Sequence, residues 1–207
     1  MTIMYLTFGQ NIEYHVQAYL SMVSFRKQMT NQDRIVMVTT SPHFYKHASL
    51  AEIISIDEKK IEEWQEEYHF FWRAKIMAID FVGRRYPNDN LLYLDCDTVL
   101  CGSIDYLKKM LTEGNGLMDV NEGHPSRMKT KTLRMWKMIQ GHTYGGITLG
   151  QQHNMYCAGV VGIPKQKREE IVKTALSLCD GMLADKVERV VIEQYSLSVW
   201  HYGVMTL

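Results

Sequence analysis

Asn90-Leu91-Leu92-Tyr93-Leu94-Asp95-Cys96-Asp97-Thr98-Val99-Leu100 is the stretch whose reading decides the fold. Pro87-Asn88-Asp89-Asn90 breaks the chain just before it, and the apolar run is too short for a helix, so it reads as a buried strand. Its leading residues are apolar in succession, as in a central parallel strand covered by helices on both faces. Two carboxylates follow, two residues apart. Side chains at i and i+2 of a strand share a face, so Asp95 and Asp97 converge on one point if the extended geometry persists. In an open α/β sheet, ligands bind beyond the carboxyl ends of the strands. Two hard oxygen donors there, with Thr98 behind them, suit Mg²⁺ or Mn²⁺, ions that keep positions open for substrate phosphates. Capping of the following turn is the ordinary alternative. The metal reading is preferred because two carboxylates behind a buried run are costly without a partner.

Upstream, residues 3–8 form a first strand that ends at Gly9-Gln10-Asn11, and 13–27 carry Val16, Tyr19, Leu20 and Val23 at helical spacing. A second strand is expected over 34–40, a short helix from Ser41-Pro42 through His47, and a third strand over 52–56. A charged helix over 58–69 and a second over 70–85 lead to the central strand; the latter carries Arg73 and Lys75. Strands alternating with helices in this way predict an α/β protein with a mainly parallel sheet.

Downstream, Gly102-Ser103 turns into a helix with Ile104, Leu107 and Leu111 on its apolar side, followed by a short strand over 117–120 and a loop over 121–126. A helix is expected over 126–140, a strand over 155–163 with Ala158-Gly159 at its middle, and helices over 165–178 and 187–200. Glycine inside a strand points to close approach of a ligand or another backbone. Glu193-Gln194 lies in the last helix. The basic residues of 126–140, interleaved with Leu133 and Trp136, raise a peripheral membrane contact or an anionic acceptor as one use of that helix. An ordinary amphipathic helix that closes the sheet is the preferred reading.

The chain has 207 residues and a formal net charge of zero, so no global field draws it towards nucleic acid. The absence of repeats and linkers favours a single domain over 1–207. The sequence holds no apolar run long enough to span a membrane, and its first residues lack the features of a secretory signal. Cys96, Cys101, Cys157 and Cys179 show no paired metal-binding spacing and read as reduced thiols, so the expected location is cytoplasmic.

Four stretches carry a family resemblance. Leu92-Tyr93-Leu94-Asp95-Cys96-Asp97-Thr98-Val99-Leu100, continuing through Gly102-Ser103-Ile104-Asp105-Tyr106-Leu107, looks like a DxD block. Arg73-Ala74-Lys75 resembles a basic pair near a donor, Met155-Tyr156-Cys157-Ala158-Gly159-Val160-Val161 resembles an Asn-Ser/Ala-Gly-Val strand, and Glu193-Gln194 resembles an acid followed by glutamine. Together they resemble the GT-A fold of nucleotide-diphospho-sugar transferases, and most of all the family 8 group that includes glycogenin and lipooligosaccharide galactosyltransferases. The resemblance spans the chain from the first strand to about residue 195.

The resemblance implies a metal-dependent hexosyltransferase, retaining in stereochemistry, that moves a sugar from a UDP-sugar to a carbohydrate or lipid-linked acceptor. Mn²⁺ or Mg²⁺ would lie on Asp95 and Asp97, with Arg73 and Lys75 adding charge at the phosphates. The nucleotide would lie near Thr7, Phe8 and Gly9, with Phe8 or Tyr14 to stack on the base. Cys157 and Gly159 would border the donor sugar, and Glu193 and Gln194 would serve the chemistry. Two features depart from the group. Cys157 stands where asparagine is usual, and His201-Tyr202-Gly203 comes too soon after Glu193 to match the late metal-binding histidine segment. The sequence also stops before such enzymes usually do, which implies a small acceptor site or one completed by a partner.

Two rival readings remain. Asp95-Cys96-Asp97-Thr98-Val99 also fits the signature of haloacid-dehalogenase phosphatases, although three strand-like segments precede it where that signature ordinarily lies on the first strand. The other rival is a catalytically degenerate sugar-nucleotide-binding module.

Overall fold

The computed structural model describes residues 1–45, 49–200 and 205–206, the last pair by backbone alone. In chain order the first half comprises β1 (Thr2–Thr7), α1 (Ile12–Arg26), β2 (Arg34–Thr39), β3 (Glu52–Ser55), α2 (Glu58–Gln65), α3 (Arg73–Arg85) and β4 (Leu91–Leu94). Then follow α4 (Asp105–Thr112), β5 (Leu117–Met118), β6 (Asn121–Gly123), α5 (Lys131–Ile139), β7 (Thr143–Tyr144) and β8 (Ile147–Thr148). The last elements are β9 (Met155–Tyr156), β10 (Val160–Ile163), α6 (Arg168–Ala184), α7 (Ile192–Val199) and β11 (Met205–Thr206).

Among the described residues, seven strands form one sheet in the order β11-β5-β10-β4-β1-β2-β3. β1 pairs in parallel with β2 and β4, and β2 with β3, while β10 runs antiparallel between β4 and β5. The apolar run that opened the sequence reading is the middle strand. Its side chains alternate as a strand requires: Leu91 and Tyr93 enter one apolar layer, Leu92 and Leu94 the other. On the Leu92 side, α1 packs Ala18, Met22 and Phe25, and α4 packs Leu107, Met110 and Leu111. On the Tyr93 side lie α3, α5, α6 and α7, with Ile76, Ile79, Trp136, Cys179 and Tyr195 in contact. The result is a mixed α/β fold with a mainly parallel central sheet flanked by helices.

Several expected elements change at their ends for local reasons. The helix expected over 58–69 stops at Gln65, because Glu66 and His69 adopt positive φ of 50° and 46°. The helix expected over 126–140 begins only at Lys131: Pro125–Arg127 is a 3₁₀ turn, and Thr130 has φ 53°. Residues 121–126 are not all loop, since β6 pairs with β9 in a small second sheet. The strand expected over 155–163 is broken at 157–159, where the Cys157 N–H donates to Val120 O at 2.8 Å and the Asp95 N–H donates to Gly159 O at 2.8 Å. The helix expected over 165–178 continues to Ala184, and that over 187–200 starts at Ile192. The short helix from Pro42 is a 3₁₀ turn to Tyr45, beyond which His47 lies outside the described residues.

A polar contact fastens α4 to the start of β2. Asp33 accepts from Lys108 Nζ and from both the backbone and hydroxyl of Thr30. Burial alone would raise the Asp33 carboxyl, yet these donors hold it down at about 2. A depressed pKa contributes stability above the unfolded value of about 3.9 and loses it as the pH falls through the folded value. Asp33→Asn is therefore expected to cost on the order of 2 kcal/mol at pH 7. In urea denaturation, the gap between variant and wild type should close between about pH 4 and pH 2.

Candidate functional site

β1 leads through α1 to β2 on one side of itself, while β4 lies on its other side. This reversal of strand order opens a crevice at the carboxyl ends of β1 and β4, the usual ligand position in open α/β sheets. A cavity of 450 Å³ occupies it, within the ordinary size range of small-molecule sites. Thr7 and Phe8 border it from the end of β1, Tyr14 and Gln17 from α1, Trp72 and Lys75 from the start of α3, and Tyr93, Asp95 and Asp97 from the end of β4. A second cavity, of 530 Å³, shares Asp95 and Asp97 and adds Asp119, Cys157 and Gly159. The two carboxylates thus stand between two cavities.

β4 ends at Leu94, so Asp95 and Asp97 are not on one strand face as expected. The chain turns at once, with the Thr98 N–H donating to Asp95 O at 3.2 Å. Asp95 is partly buried and Asp97 exposed. The side chain of Cys96, between them, points back to Leu6 O. Burial, aided by Asp95 and Asp97, pushes its thiol up to about 12, so it is no nucleophile at neutral pH.

Lys75 is the hub of the site. Its ammonium lies 3.2 Å from Asp95 Oδ1 and 3.5 Å from Glu193 Oε1, and donates to Ala158 O at 3.2 Å. The rings of Tyr93 and Trp72 flank it at 5.0 and 5.8 Å. Lys75 is only 4% exposed and Glu193 6%. Burial raises the Glu193 carboxyl, against the pull of Lys75. Burial also keeps the Tyr93 hydroxyl protonated, with Asp95 adding to the effect, and that hydroxyl donates to Asp95 Oδ1 at 2.7 Å.

Arg73 does not join this group. Positions two apart on a helix differ by about 200° in direction, so Arg73 and Lys75 leave α3 on opposite sides. The Arg73 guanidinium donates to Asp180 at 2.7 Å, to Glu66 at 2.8 Å and to Trp64 O at 2.7 Å. These contacts pin the buried cation between α2 and α6, away from the cavity at Asp95. The adjacent pair in α7 is split in the same way. Glu193 faces inward to Lys75, whereas the Gln194 amide donates outward to Glu122 at 2.9 Å.

The remaining expected residues are placed as follows. The Thr7 hydroxyl donates to Thr39 Oγ1 at 2.8 Å, so it braces the strand ends. Gly9 turns the chain with φ 72°, its N–H donating to Thr40 Oγ1 and its carbonyl accepting from Ser41 Oγ at 2.7 Å. Phe8 and Tyr14 both reach the first cavity, Phe8 with its ring 4.3 Å from that of Phe71. Gly159 carries no steric demand from the protein: an added Cβ would lie 3.6 Å from Asp95 Oδ2 and from Cys157 Sγ, in ordinary contact. Cys157 borders the second cavity, and burial raises its thiol. His201 and Gly203 lie outside the described residues.

The sequence reading missed Trp72, Gln17, Tyr93 and Asp119. The run Phe70-Phe71-Trp72 ahead of Arg73 was a legible signal for an aromatic wall, whereas Asp119 lies just past β5 with nothing local to mark it. Asp95 and Asp97 are hard donors of the kind that hold Mg²⁺ or Mn²⁺. Among the described residues, no group of three or more His, Cys, Asp or Glu side chains is arranged to hold a metal ion. Two carboxylates with the other ligands left to phosphates and water is nevertheless an ordinary arrangement for Mg²⁺, so the residues fit such an ion.

No protein-family model matches the sequence, and no curated protein matches it. The fold is similar to that of the galactosyltransferase LgtC, in a crystal structure of its complex with donor and acceptor sugar analogues. The TM-score is 0.62 at 13% sequence identity, and the match covers 100% of this chain and 73% of that one. The likeness establishes the fold, that of a GT-A glycosyltransferase.

Arg73 and Lys75 are expected to respond differently to truncation. Arg73→Met removes a buried cation from two carboxylates that keep contact with solvent, and should lower stability by about 1–3 kcal/mol without disturbing the Lys75 cluster. Lys75→Met leaves the Glu193 carboxylate buried with no cation beside it and should lower stability by about 3–5 kcal/mol, an effect readable by urea denaturation.

Proposed function

We propose that the chain is a glycosyltransferase that moves a hexose from a UDP-sugar to a carbohydrate or lipid-linked acceptor. The observation that carries this reading is the position of Asp95 and Asp97. In a GT-A fold, they stand at the end of the middle strand and border the crevice where strand order reverses. The nucleotide would enter the first cavity, with Phe8, Tyr14 or Trp72 offering a ring to the base and Lys75 facing the diphosphate. Asp95 and Asp97 would hold Mn²⁺ or Mg²⁺, whose charge neutralises the diphosphate as a leaving group. The chain's own part is largely electrostatic. Glu193 fixes Lys75, and the Tyr93 hydroxyl orients Asp95. The acceptor would approach from the second cavity, where Asp119, Cys157 and Gly159 face the same carboxylates. Transfer breaks the bond from the anomeric carbon to the diphosphate oxygen, which leaves with the electron pair, and forms one to an acceptor hydroxyl, whose proton passes to the departing diphosphate. Retention of configuration is the expected stereochemistry, on the resemblance to family 8.

No helix among the described residues is long and apolar enough to cross a membrane. The basic helix α5 buries Met135, Trp136 and Ile139, and Arg134 pairs with Glu188 at 2.7 Å, which supports its use in closing the sheet.

UDP release from a panel of UDP-hexoses, with Mn²⁺ and Mg²⁺ in separate arms, tests the proposal. Metal-dependent release is expected, with a drop of about 10²–10³-fold in Asp95→Asn and Asp97→Asn. Release of phosphate from simple monoesters, with none of UDP, would favour the phosphatase. UDP binding without turnover of any donor would favour a binding module.

A further inference from the structure

Helix α1 leaves an apolar stripe uncovered. Ile12, Val16, Tyr19 and Leu20 are 60%, 50%, 44% and 58% exposed, while Ala18, Met22 and Phe25 on the other face are packed on the sheet. Half-buried Val23 continues the stripe. Ile12, Val16, Tyr19 and Val23 follow one another at intervals of four, three and four residues, the seam spacing by which two helices pack lengthwise. Single exposed apolar side chains need no explanation, but a continuous row along one helix face does.

The charges at the ends of the stripe are of opposite sign. Glu13 lies in the first turn of α1, Arg26 in the last, and Lys27 follows. Such a surface is complementary to itself when a second α1 runs antiparallel to it across a two-fold axis. Glu13 of each copy then meets Lys27 of the other on one flank, Val16 meets Val23 at the centre, and Tyr19 and Leu20 each meet their own counterparts near the two-fold axis. The helix dipoles are also opposed. A bilayer is a poorer occupant, because a helix that lies in a membrane surface carries Lys and Arg along its polar face, and here the basic residues sit only at one end.

We propose that this face of α1 is a homodimer interface, filled by α1 of a second copy of the chain. Tyr14, two residues from both Ile12 and Val16, leaves α1 on the side opposite the stripe and borders the first cavity, so a dimer seam along the stripe leaves that cavity open. The proposal does not depend on the transferase reading.

Sedimentation velocity of the full chain at high micromolar concentration should give twice the chain mass. Val16→Glu and Leu20→Glu, each on the exposed face, should give monomers with unchanged far-ultraviolet circular dichroism. Charge reversal identifies the pairing. Glu13→Lys alone, and Arg26→Glu with Lys27→Glu together, should each weaken self-association by about tenfold. An equimolar mixture of the two reversed proteins should restore the dimer, since each then meets opposite charge. A wild type that stays monomeric, a dimer that survives both glutamate variants, or a mixture that fails to pair would overturn the proposal. A monomer that sediments with phosphatidylcholine–phosphatidylglycerol vesicles would overturn it in favour of a bilayer.

Discussion

The buried ammonium of Lys75 ties together the three elements that build the site. It is supplied by α3, paired with Asp95 at the end of β4, and backed by Glu193 in α7. A lone charge at this depth would cost several kcal/mol in lost hydration, and two carboxylates and the Ala158 carbonyl offset it. One cation between two acids, with Asp97 close by, leaves the cluster net negative. Burial raises the Glu193 carboxyl. On the proposed reading, the excess would favour a cation at the end of β4, and a diphosphate would find both the ion and Lys75 there.

This cluster has its position because of the sheet. β4 is buried on both faces, so its side chains are spent on packing until Leu94, and the first polar residue emerges where the layers end. The antiparallel strand β10 fixes that point, because Gly159 accepts the Asp95 N–H just as the chain leaves the ladder. Breaking the expected strand at 157–159 costs ladder hydrogen bonds, but it gives the β4 turn its backbone partner. The same break brings Cys157 and Asp119 to the second cavity.

The sequence was most legible where one physical rule governs a residue. The two-faced burial of Leu91–Leu94, the parallel β1, β2 and β3, and the position of Asp95 and Asp97 at the end of the middle strand all followed from short apolar runs and sharp breakers. Helix ends were less so. Positive φ at Glu66, His69 and Thr130 carries no propensity signal, and the small sheet of β6 and β9 depends on contacts distant in sequence. For the site, the basic pair Arg73 and Lys75 reads as a unit along the sequence, yet helical geometry sends the two residues to different neighbours. Glu193 and Gln194 divide in the same way. Asp119 was not legible, since nothing local to it states which strand end it will face.

The central claim is that Asp95 and Asp97 form half of a cation site whose other half is the diphosphate. Calorimetric titration of Mn²⁺ into the protein, with and without UDP, addresses it directly. The account predicts weak binding to the protein alone, markedly tighter binding in the presence of UDP, and loss of that coupling in Asp95→Asn and Asp97→Asn. Matching isotherms with and without UDP, or coupling that persists in both asparagine variants, would contradict it.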